Sequence, residues 1–165
     1  MAIKADFTAD EWKKILGSPV VAGVAVTVAD PSGLWGLLQE GFASGRALIE
    51  ARNSPGANAL VKELVDELAT SEGRAAARDG VKAELSAKSP EEIKQQALST
   101  LAEIGAILDA KAPRDAPEFK AWLKHIAEKV AEAAPEGGFL GFGGVKVSDA
   151  EKATLAEIAA ALKLG

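Results

Sequence analysis

Apolar residues recur along this chain at spacings of three and four, which places them on one face of successive helices. Trp12, Ile15 and Leu16 form the first stripe, and Leu34, Leu37, Leu38, Phe42, Leu48 and Ile49 form another. Leu60, Val61, Leu64, Val65 and Leu68 follow, then Ile93, Ala97, Leu101, Ile104 and Leu108 up to the break at Pro113. Phe119, Trp122, Leu123, Ile126 and Val130 make a further face, and Leu155, Ile158, Ala159 and Leu162 the last one. Arg74 to Leu85 is rich in helix formers but poor in large apolar side chains, which predicts the outermost or most loosely held element.

The polar residues between these stripes read as helix starts. Thr8-Ala9-Asp10-Glu11 and Ser89-Pro90-Glu91-Glu92 are capping boxes, and Asp115 to Glu118 and Ser148 to Glu151 have the same form. Ser18-Pro19, Asp30-Pro31 and Ser54-Pro55 each place a capping side chain before a proline at the first helical position. On this pattern the first helix ends at Gly17 and a second opens at Pro19. The run Val20 to Ala29 has the β-branched composition of a strand. A lone strand would have no partner, because no other such run exists, so the proline-based caps on both sides favour a helix. The expected fold is all-α: one domain over residues 1–165, a compact bundle of about seven to eight helices around a buried central apolar helix, Val20–Ala29.

Composition narrows the classes of function. The chain has 165 residues, no cysteine and a formal net charge of −5. Thiolate metal sites, disulfides, iron–sulfur clusters and cysteine nucleophiles are thereby excluded. Arg46, Arg52, Arg74, Arg78 and Lys82 are interspersed with acidic residues, so nucleic acid is not an expected partner. Val20 to Ala29, the longest apolar run, is about half the length a helix needs to cross a bilayer. Met1 to Asp6 has no apolar stretch behind its single lysine and does not read as a signal peptide. A bacterial-type cytoplasmic protein is the expectation.

Three constellations could carry chemistry. Pro135 to Val147 holds Gly137, Gly138, Gly141, Gly143 and Gly144 around Phe139, Leu140 and Phe142. A phosphate loop needs Lys and Ser or Thr directly after its last glycine, but Val145 and Val147 intervene; the dinucleotide pattern has Lys146 where its third glycine should be. The glycines therefore read as a tight connection whose phenylalanines plug the bundle, or expose a ring to a protein partner or membrane surface. The stretch after Asp30 places Gly33, Gly36, Gly41 and Gly45 along one helix with Trp35. Each interior glycine costs about 1 kcal/mol against alanine, so a close helix approach, within the chain or in a second copy, is expected. His125, the only histidine, has Glu128 and Glu132 on the same face and could join them around a divalent ion. A paired di-iron site needs two such histidines. Glu63, Asp66, Glu67, Asp109 and Asp115 read as solvated carboxylates beside lysines. No catalytic residues and no cofactor are assigned.

The stretches Ala29-Asp-Pro-Ser-Gly-Leu-Trp-Gly-Leu-Leu38 and Glu136-Gly-Gly-Phe-Leu-Gly-Phe-Gly-Gly-Val145, followed by Ser148-Asp149-Ala150-Glu151, resemble a family of uncharacterised bacterial all-helical proteins. The ending is also distantly similar to tellurite-resistance TerB-type domains: a loop, then Ser148-x-x-Glu151, then Leu155-x-x-Ile158-Ala159-x-x-Leu162. That resemblance implies a helical domain associated with metal stress and membrane-linked assemblies, although Gly143 and Gly144 stand where those domains carry acidic residues. The functional expectation is a non-enzymatic binding or scaffolding module whose contacts are Phe139, Leu140, Phe142, Trp35, Gly41 and Gly45. A TerB-like protein binding a divalent ion, and an enzyme or carrier with an apolar pocket, are the alternatives.

Overall fold

The computed structural model describes residues 2–28, 46–53, 58–133 and 147–165, and the regular structure among them is helical, with no strand. A 3-10 turn at Lys4–Asp6 leads into α1 (Ala9–Thr27). There follow α2 (Arg46–Asn53), α3 (Ala59–Leu68), α4 (Ser71–Glu84), α5 (Pro90–Lys111), α6 (Ala116–Ala133) and α7 (Asp149–Ala161).

The capping boxes at Thr8 and Ser148 form as their sequences require. Thr8 Oγ1 accepts the Glu11 amide at 3.2 Å while Glu11 Oε2 accepts the Thr8 amide at 2.7 Å. Ser148 Oγ and Glu151 Oε2 do the same at 3.2 and 2.8 Å. Ser89 caps α5 ahead of Pro90. α3 takes its cap from Asn58, whose Oδ1 accepts the Val61 amide at 2.9 Å. The start expected at Ser54-Pro55 lies outside the described residues, as does that at Asp30-Pro31. Thr70 caps α4 through the Gly73 amide at 2.9 Å. Asp115 precedes α6, but its Oδ2 is occupied by the Ala2 amide, 2.7 Å away.

α1 corrects the expected break at Gly17. One helix of 19 residues runs through Ser18 and Pro19 to Thr27. Proline has no amide to give the Ile15 carbonyl, and the Ser18 hydroxyl donates to that carbonyl instead, at 2.7 Å. Ser18 therefore caps nothing; it repairs the turn that Pro19 opens. Val20 to Thr27 are helical, with Ala22, Ala25 and Val26 wholly inaccessible to solvent.

Arg74–Leu85, expected to be outermost or loosest, does leave most of its residues at the surface, but it is not loosely packed. α4 packs along α1, with Gly73, Ala77 and Gly80 buried. A Cβ on Gly80 would lie 2.6 Å from the Lys13 carbonyl oxygen, and one on Gly17 would lie 3.0 Å from Val81 Cγ2. Small side chains, not large apolar ones, hold this pair of helices together, and dispersion over the close backbone contact replaces an apolar stripe.

α1 also packs against α5 and α6, and more lightly against α3 and α7. Leu16, Leu60, Leu64, Leu101, Ile104, Phe119, Leu123 and Ile158 meet in one buried cluster drawn from α1, α3, α5, α6 and α7. Ion pairs set the chain directions. Lys111–Glu11 and Lys14–Glu103, both 2.6 Å, run α5 antiparallel to α1. α6 turns back beside Ala2 and lies along α1 in the same direction. Lys94–Glu157 at 2.6 Å, with Leu162 beside Gly105, sets α7 parallel to α5. The C-terminal ends of α1 and α6 and the N-terminal ends of α5 and α7 thus gather at one end of the bundle.

Candidate functional site

The residues singled out for partner contact, Phe139, Leu140, Phe142, Trp35, Gly41 and Gly45, lie outside the described residues. Their flanks are placed. Val28 ends α1, and Ala133 ends α6, at the end of the bundle where α7 begins after Val147. α2 packs on α3, and the Asn58 side chain that follows α2 donates to the Asp115 carbonyl at the far end, at 2.9 Å. The N-terminal flank of the first glycine-rich segment and both flanks of the second therefore sit at one end of the bundle.

The third constellation, around His125, is described in full and is not drawn together. His125 has a side chain 61% exposed, with Nδ1 3.8 Å from Glu128 Oε2. Glu132 turns to Lys129, whose Nζ donates to it at 2.8 Å; this hydrogen bond holds the Glu132 carboxyl below its ordinary range and raises Lys129. Among the described residues no three histidine or acidic side chains are disposed to hold a metal ion.

Of the carboxylates expected to be solvated, Asp66 and Asp109 are exposed, Glu63 and Glu67 are half-buried and Asp115 is buried, and all five also tether one segment to another. Glu67 Oε2 accepts the Trp12 indole N–H at 2.9 Å and its Oε1 pairs with Lys4 at 2.8 Å. Glu63 accepts the Lys4 amide at 3.0 Å, and Asp66 pairs with Arg52 at 3.0 Å. Asp115 is buried on the Ala2 amide. Asp109 meets Lys120 at 2.6 Å. Each tether joins segments far apart in the chain or in different helices, a pairing that spacing along one helix does not reveal.

The burial of two charged residues was not expected from the sequence, although Glu151 reads there as a capping residue. Lys120 is 5% exposed and Glu151 1%. Lys120 stands four residues after Ala116 and three before Leu123, both buried, so the helical stripe did carry the signal. Lys14 is a further junction. Partial burial works against its charge, but the Glu103 and Glu84 carboxylates at 2.6 and 3.0 Å outweigh it and raise its pKa.

A shallow crevice of about 240 Å³ opens at the turn between α5 and α6, lined by Ala2 and residues 111–115. Its Lys111 is held by Glu11. No helix among the described residues is long and apolar enough to cross a membrane. No protein-family model, curated protein or solved structure matches the chain.

Proposed function

We propose that this protein is a non-enzymatic binding or scaffolding module of the bacterial cytoplasm, organised around α1 as the central apolar helix of a bundle of seven to eight. Its contacts are made by the two glycine-rich segments, through Phe139, Leu140 and Phe142 and through the Trp35, Gly41 and Gly45 stretch. The observation that carries the proposal is the placement of their flanks: Val28, Ala133 and Val147 share one end of the bundle, so the chain enters both segments, whose composition helix stability does not require, from that end. At the opposite end Glu11, Glu67 and Asp115 hold separate segments together, which gives that end a structural role.

The test is cross-linking in cells followed by quantitative mass spectrometry. A Phe139→Ala/Phe142→Ala pair and a Gly41→Leu/Gly45→Leu pair are compared with wild type and with the exposed control Glu91→Ala, all checked for wild-type helicity. Loss of the same partner, or of self-association, in both pairs but not in the control is the expected result. Retention of every partner by both folded pairs refutes the proposal.

A further inference from the structure

We draw no further inference here: the strongest candidate, the buried Glu151 side chain at the first turn of α7, has an Oε1 atom without a hydrogen-bond partner but belongs to the Ser148 capping box, and nothing among the described residues shows what would reach it.

Discussion

A proline inside a helix leaves one carbonyl without its amide and costs about 3 kcal/mol or more where nothing compensates. In α1 the loss falls on Ile15, and the fully buried Ser18 hydroxyl supplies the missing donor. Ser18→Ala should lower stability by about 1–3 kcal/mol, the penalty for a buried acceptor left unsatisfied. In a Pro19→Ala background the same change should cost less, because residue 19 then provides the amide; urea melts of the four proteins in the cycle measure the difference. Glycine positions separate in a similar way. Gly80→Ala adds a Cβ 2.6 Å from a backbone oxygen that cannot swing away, so the clash outweighs the roughly 1 kcal/mol of helix propensity gained and the protein is destabilised. Gly105→Ala meets nothing closer than 3.5 Å and should be neutral or stabilising by up to about 1 kcal/mol. Equal losses in thermal melts of the two variants would contradict this account. At Glu11, the Lys111 hydrogen bond and then the Thr8 amide hold the carboxyl below its ordinary 4.5. Its contribution to stability is therefore complete above pH 4.5 and drains away as pH falls through the lower folded value. Melting temperatures recorded from pH 6 down to about pH 3 should fall less steeply in Glu11→Gln than in wild type.

α2 is the shortest α-helix among the described residues. It has eight residues, too few to persist alone in water, and its Ile49 is 56% exposed. It packs on α3, with an exposed ion pair, Arg52–Asp66, among its ties. Such pairs contribute about 0–1 kcal/mol. Amides of Arg46–Asn53 should exchange with solvent well before those of α1 and α5, and protection equal to that of α1 would show that α2 is secured by more than these contacts. Most helix starts were legible in the chain because a capping side chain acts on an amide two or three residues away, as at Thr8, Ser89 and Ser148. What distance along the chain hides is harder to read. Pro19 looked like a start because only the folded helix shows the Ser18 hydroxyl reaching Ile15. α4 looked loose because its packing relies on the absence of side chains at Gly73 and Gly80. The carboxylate tethers, such as Asp115 to Ala2, join residues that no spacing rule connects. Of the candidate site, composition marked the glycine-rich segments, whereas the meeting of Val28, Ala133 and Val147 at one end depends on helix directions, which appear only once the helices pack.

At the scale of the molecule, α1 is the element most others share. It packs along α4, α5 and α6; Lys111 holds Glu11 in its first turn and Asp115 holds Ala2 ahead of it, 100 and 113 residues distant from their partners. Its Val21 to Val26 face is apolar nearly all round and is covered only when the later helices arrive. A ribosome therefore delivers the stickiest surface of this protein long before its cover. Any chain cut short ahead of α5 would leave that surface bare, inviting capture by chaperones or aggregation.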